Sequence, residues 1–222
     1  MILLYYYLQL KWSSVYSFCP FLSFIITHIQ TTRMNVTSLE LFSRSLAPHK
    51  DIIDSVSSTI NKVIVSIQQN GNRFGVDRAI IAGSMGKRTT IDNFFDVDLV
   101  IFINSSEPPF KEEIERIEEL LFLNFNDFLI LHKSNKSLKA SVNKVGFDIL
   151  LATKYVVGGP QQSNKRKEQH RVLLSKFDPE RSTWKDTKPY SCGFCETVVE
   201  FIQNQSEIVH SAIRLAKFWM HT

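Results

Sequence analysis

Asp96 and Asp98 stand two apart at the head of an apolar, β-branched run, Val97, Leu99, Val100, Ile101, Phe102 and Ile103. Side chains at i and i+2 of a strand project to the same face, so this spacing aims two carboxylates at one spot. Like charges beside a core are unfavourable unless a cation sits between them, and hard oxygen donors suit Mg²⁺ or Mn²⁺. Asp148 lies in a second apolar run, Phe147, Ile149, Leu150 and Leu151, where a lone carboxylate would be costly to bury; it is expected to complete the cluster. A phosphate-binding element precedes the pair: Gly83-Ser84-Met85-Gly86-Lys87-Arg88-Thr89-Thr90 directly follows a predicted strand. Glycines there let backbone N–H groups approach a phosphate, Ser84 adds a donor, and Lys87 or Arg88 supplies positive charge. The spacing is not that of a P-loop, because Gly83 and Gly86 are too close together.

These residues need elements to hold them. Ile52, Ile53, Val56, Ile60, Val63, Ile64 and Ile67 recur at helical spacing and predict a helix over 51–69, stopped by Gly71. Strands are predicted over 76–82, 97–103 and 147–152, and a helix over 110–131 whose glutamates form a solvated face. A loop is expected from 158 to 169. A last helix over 206–220 is expected to bury Ile208, Val209, Ala212, Ile213, Ala216 and Trp219 or Met220. The fold class expected is α/β, in the α+β sense: a small mixed sheet with packed helices, followed by the start of a helical second domain.

Composition sets bounds on this reading. With 222 residues, 44% apolar and 22% charged, the chain can bury a core and is not disordered by composition. A net charge of +4 is too small to announce a nucleic-acid-binding protein by itself. Cys19, Cys192 and Cys195 are too few for a disulfide framework and favour a reducing, cytoplasmic setting. Cys192-Gly193-Phe194-Cys195 has the spacing of redox and zinc sites, but neither a preceding strand in a βαβ unit nor a full ligand set is evident around it. No serine sits in a G-x-S-x-G elbow. Residues 1–33 form an apolar extension expected to lie outside the fold; membrane association through 12–32 is an open alternative, diluted by Ser13, Ser14, Ser17, Pro20 and Ser23.

Gly83-Ser84, Asp96-Val97-Asp98 and the distal Asp148 resemble the core signature of the DNA polymerase beta-like nucleotidyltransferases. Within that superfamily, 82–90, 96–102, 147–150 and 213–219 are similar to the phosphate loop, metal strand, third-carboxylate strand and nucleotide-binding helix of the 2′-5′-oligoadenylate synthase family. The resemblance implies a nucleotidyltransferase catalytic domain over 34–158 and an incomplete helical domain over 159–222, the chain stopping where the family continues. It implies that Asp96, Asp98 and Asp148 are catalytic and hold two Mg²⁺, and that Gly83, Ser84, Lys87, Arg214 and Lys217 bind the ATP phosphates. The implied activity is polymerisation of ATP into 2′-5′-linked oligoadenylates with pyrophosphate release, in an innate antiviral response. A cyclic-dinucleotide synthase of the same superfamily, or a catalytically idle nucleotide- or RNA-binding module, would carry the same residues.

Relatives activated by double-stranded RNA present basic residues on the helix before the Arg214 helix. Here 196–205 contains no Lys or Arg, so Glu196 and Glu200 are expected to repel a phosphate backbone, and RNA activation of the usual kind is not expected. Lys165, Arg166 and Lys167 form an alternative basic patch.

Overall fold

A computed structural model describes residues 36–71, 75–92, 96–104, 110–154, 171–172, 175 and 191–221. The chain divides into two compact units at Arg44/Ser45. The described part of the first is helix α1, Val36–Ser45, which spans the division. The second carries helix α2 (Lys50–Asn70), strand β1 (Val76–Ile81), the one-turn helix α3 (Gly83–Gly86), β2 (Val97–Asn104), α4 (Lys111–Asn124), β3 (Leu129–Lys133), β4 (Ser137–Val142) and β5 (Val145–Lys154). A 3₁₀ turn (Cys192–Phe194), α5 (Cys195–Gln203) and α6 (Glu207–His221) follow.

The five strands form one mixed sheet in the order β1-β2-β5-β4-β3. Only the central β2–β5 pair is parallel; the other neighbours are antiparallel. Period-two alternation sorts side chains between the sheet's faces. Val97, Leu99, Ile101 and Ile103 of β2, Phe147, Ile149 and Leu151 of β5 and Leu138, Ala140 and Val142 of β4 share the main core. Val56, Ile60, Val63 and Ile67 of α2 and Ile114, Ile117 and Leu121 of α4 complete it. Val100, Phe102 and Ala152 belong to a second, smaller cluster with Ala82 and with Val199 of α5; Cys192 and Cys195 pack against it. Asp98 and Asp148, in phase with Val100 and Leu150, lie on this second face.

The α+β class, the first long helix and the three apolar strands agree with the sequence reading, with boundaries shifted by a residue or two. The helix expected over 110–131 ends instead at Asn124, whose amide Nδ2 donates to the Leu120 carbonyl at 2.7 Å. Leu129 and Ile130, within the helix expected there, pair with Ser141 and Ala140 of β4 in an edge strand, and Leu131 falls at a bulge in that pairing. The helix pattern continued through them because an edge strand with every residue exposed shows no alternation to contradict it. The hairpin from β4 to β5 turns on Asn143 and Lys144, both at positive φ (49° and 65°), the two-residue geometry whose twist matches the flanking strands.

The buried face expected for the last helix is corrected. Ile208 and Met220 are 76% and 68% exposed, Ala212 and Ala216 are exposed too, and His210, Ser211 and Arg214 are buried instead. Inward polar groups find partners there: a His210 ring nitrogen lies 2.7 Å from the Ile202 carbonyl, and Arg214 donates to the Arg88 carbonyl. Those bonds decide which face turns in, against the apolar periodicity. No described helix is long and apolar enough to cross a membrane. The expectations for 1–33, the 158–169 loop and the Lys165 patch lie outside the described residues.

Candidate active site

The parallel pairing of β2 with β5 sets Asp98 opposite Asp148 in register. The antiparallel pairing of β4 with β5 then sets Lys139 opposite Asp148. The Lys139 ammonium lies 3.4 Å from Asp148 Oδ2 and 3.8 Å from Asp96 Oδ2, so one cation reaches two of the predicted carboxylates. Asp96, just before β2, is 63% exposed at its side chain, whereas Asp148 is 25% exposed. A Cβ on Gly146 would come within 2.9 Å of Asp96 Oδ1, which places that carboxylate over the start of β5.

Asp98 is the most constrained of the three. Burial, then the charges of Asp148 and Asp96, raise its pKa above the usual carboxylate range, against the partial relief of Lys87 and Lys139. The Ala82 N–H donates to the Asp98 carbonyl at 2.7 Å, tying the Gly83–Thr90 loop, the expected phosphate element, to β2. Gly83 has φ +55°, and a Cβ there would sit 1.6 Å from Asp98 Oδ2. The missing side chain is therefore the space that the Asp98 carboxylate occupies. From this cradle the loop closes on itself: the Gly86, Lys87, Arg88 and Thr89 amides donate to the carbonyls of Ala82, Gly83, Met85 and Ser84.

Lys217 of α6 reaches the same loop, its ammonium donating to the Thr89 carbonyl (3.1 Å) and hydroxyl (3.3 Å). Burial, and then the like charge of Lys87, lower its pKa, with Asp98 opposing. Two ammonium groups from distant parts of the sequence thus face one region beside the carboxylates, and an anion between them would relieve their repulsion. Arg214, expected as a companion clamp, is engaged differently. It pairs with Glu207 and donates to the Arg88 carbonyl at 3.2 Å, while its Nε has no hydrogen-bond partner among the described residues. The structure thus brings Lys217 together with Lys87 and Asp98, and sets Arg214 behind the loop.

Two features of this site were missed in the sequence. Lys139 needed β4, whose signal is the alternation of Leu138, Ala140 and Val142 with Lys139 and Ser141. The cysteine pair was weighed without its neighbours. The Cys195 thiol donates to the Cys192 sulfur, which holds Cys192 below the ordinary thiol range and, with burial, pushes Cys195 above it. Cys192 feels the charge of Asp148, and Cys195 feels those of Lys87 and Asp98.

Glu196 also has a different setting from the one expected. It accepts from Arg78 Nη2 at 2.8 Å and Nε at 3.3 Å, so it braces α5 against β1 rather than presenting a free charge.

Among the described residues, no three His, Cys, Asp or Glu side chains converge closely enough to enclose a metal ion. The donor set still fits a hard divalent cation. Three carboxylates on adjoining backbone share one face, burial and then their mutual repulsion raise Asp98, and the Lys139 ammonium already lies between two of them.

No protein-family model and no curated protein matches the chain. Among solved structures it is similar to Cid1, an RNA terminal uridylyl transferase, at 11% identity and TM-score 0.42 over 64% of this chain and 40% of that one. It is also similar to CdnC of E. coli MS115-1 with ATP, at 13% identity and TM-score 0.42 over 79% and 67% of the two chains. A third similar structure is the complex of that CdnC with HORMA-deltaN, at 14% identity and TM-score 0.40 over 71% and 61%. The chain spans about 40% of the length of Cid1.

Proposed function

We propose that this chain is a nucleotidyltransferase that polymerises ATP into 2′-5′-linked oligoadenylates and releases pyrophosphate, as part of an innate antiviral response in the cytoplasm. The observation that carries the reading is the in-register pairing of Asp98 with Asp148 across β2 and β5, on the face that also holds the phosphate loop. The linkage, the adenine preference and the pathway rest on the resemblance of residues 82–90, 96–102, 147–150 and 213–219 to the synthase family. In this reading 34–158 is the catalytic domain, and 159–222 begins a helical one.

Asp96, Asp98 and Asp148 would hold two Mg²⁺. When bound, these ions lower the pKa of a coordinated hydroxyl and neutralise charge on a departing phosphate oxygen. The chain's own groups do the rest. Asp148 takes the proton of the attacking ribose hydroxyl; the new bond forms to the α-phosphorus, and the bond from that phosphorus to the bridging oxygen breaks as pyrophosphate leaves. Lys87 and Lys217 hold the β- and γ-phosphates, which screen their mutual repulsion, and Ser84 adds a hydroxyl donor. Gly83 keeps the loop close enough to the Asp98 carboxylate for phosphate and carboxylates to face one another.

The test is to incubate the full chain with ATP and Mg²⁺ and follow pyrophosphate, then digest the product with a nuclease specific for 3′-5′ linkages. Pyrophosphate release with a digestion-resistant linear product supports the proposal. A cyclic dinucleotide would assign the rival synthase chemistry. ATP binding without pyrophosphate would support the idle module.

A further inference from the structure

Cys192 and Cys195 are the reactive side chains that this mechanism leaves unused. Their setting has three features that a pair of structural thiols does not need. They are three apart where a 3₁₀ turn runs into α5, which brings two sulfurs to the same side of one turn. Both are only partly buried, so a small reagent can reach them. They also sit at the start of the helix that braces the loop, packed against the cluster that contains Ala82 and Val199.

We propose that Cys192 and Cys195 form a reversible redox pair whose oxidation to an intramolecular disulfide loosens the Gly83–Gly86 phosphate loop. The oxidant is a low-molecular-weight disulfide of the glutathione class. Cys192, as thiolate, attacks one sulfur of the disulfide and expels a thiolate, leaving a mixed disulfide on Cys192. Cys195 then loses its proton and attacks the Cys192 sulfur, expelling the second thiolate. Two protein thiols are oxidised, one disulfide is reduced to two thiols, and the two protons end on the leaving sulfurs.

The coupling to the loop is physical. A disulfide holds its sulfurs about 2.05 Å apart, well inside non-bonded contact, so oxidation pulls the Cys192 turn and the first turn of α5 together. The same helix holds the loop from its far end, where Gln203 Nε2 donates to the Gly86 carbonyl at 2.6 Å, and through Val199 in the cluster with Ala82. Both contacts move with α5. The amides of Gly86, Lys87, Arg88 and Thr89, which bond within the loop, report its closure directly.

The experiment takes the full chain with Cys19→Ser through a series of reduced and oxidised glutathione ratios. After alkylation, peptide mapping follows the Cys192–Cys195 link, and hydrogen exchange is read at 86–89 in each state. The expected result is a link that forms and reverses within the buffer range, with exchange at 86–89 about tenfold faster when oxidised. Cys192→Ser and Cys195→Ser should each carry a single glutathione and show no such change in exchange. Failure to form the link at any ratio overturns the pair, and a link that leaves exchange at 86–89 unchanged overturns its coupling to the loop. Neither readout depends on nucleotide chemistry, so loss of the proposed transferase activity leaves this inference standing or falling on its own terms.

Discussion

Two charged clusters sit on one sheet, and they are built to opposite rules. At one end, Asp77 and Arg78 of β1, Lys154 of β5 and Glu196 of α5 form a balanced network, two acids with two bases. Arg78 also lies 4.0 Å from the centroid of the Phe102 ring. Burial alone would raise the pKa of Asp77, yet bonds from Lys154 and Arg78 hold it below the usual carboxylate range. At the other end of the same strands, Asp96 and Asp148 share the Lys139 ammonium, and Asp98, which Lys87 and Lys139 relieve only in part, is raised by burial and by its acidic neighbours. The first cluster has its counterions built in and strengthens the fold. The second holds a half-buried Asp98 carboxyl at a raised pKa among its acidic neighbours, which costs stability and is the kind of perturbation that clusters at functional sites.

The comparison breaks most visibly at the carboxylates. Asp98→Ala or Asp148→Ala should lower pyrophosphate release by roughly a thousandfold or more, and the double variant should be little worse, because the residues act as one unit. Near-normal release from either would mean that the surplus of acid has no catalytic use.

Gly83→Ala comes next. A methyl group driven against Asp98 at a left-handed φ should lower unfolding free energy by about 1–3 kcal/mol, read by urea denaturation. An unchanged midpoint would show that the loop and the carboxylate are not in contact.

Arg78→Ala sharpens the other side. It removes the Arg78 ion pairs to Asp77 and Glu196, both partly buried, and the ring contact, so about 1–2 kcal/mol of stability should be lost. Transfer per folded molecule should change less than threefold. A loss of activity larger than the loss of stability would dissolve the distinction between the clusters.

The smallest effect is in pH dependence, and the signs differ. Asp77 is depressed, so its stabilisation is present above its unfolded pKa and is lost as pH falls through the folded value. Asp98 is raised, so its contribution is present below its unfolded pKa and is lost as pH rises through the folded value. Asp98→Asn should therefore raise the melting temperature at pH 7 by a few degrees, roughly the shift for 1 kcal/mol in a domain of this size. It should also flatten the gain that wild type shows on mild acidification. Asp77→Asn should instead remove part of the loss at low pH. Melting curves of the three proteins across pH check both signs, and a lower melting temperature for Asp98→Asn at pH 7 would contradict the account.

What could be read in advance follows from where each signal lives. Asp96 and Asp98 were legible because alternation is local, and Asp148 because a carboxylate in an apolar strand is conspicuous alone. Lys139 was not, since lysine in a polar position is unremarkable until β4 is paired against β5. The roles of α6 were hidden for a related reason. Apolar periodicity chose Ile208 and Met220 for the interior, but the helix turns His210 and Arg214 inward to partners more than a turn away or in the phosphate loop. Glu196 likewise looked like a free surface charge, because its partner Arg78 is remote in sequence.

The parallel pairing of β2 with β5 has a kinetic consequence. Antiparallel neighbours can zip up from a tight turn, as β4 and β5 do at Asn143 and Lys144, but Asp98 meets Asp148 only after everything between Asn104 and Val145 has been threaded past the sheet. Closing that long loop costs entropy before any contact rewards it. The carboxylate site is therefore among the last parts of the sheet to assemble, after α2, α4 and the β4–β5 hairpin have formed. In a refolding experiment helical signal should return first and the burial of Asp98 later, so a half-folded chain holds much of its secondary structure without the assembled carboxylate face.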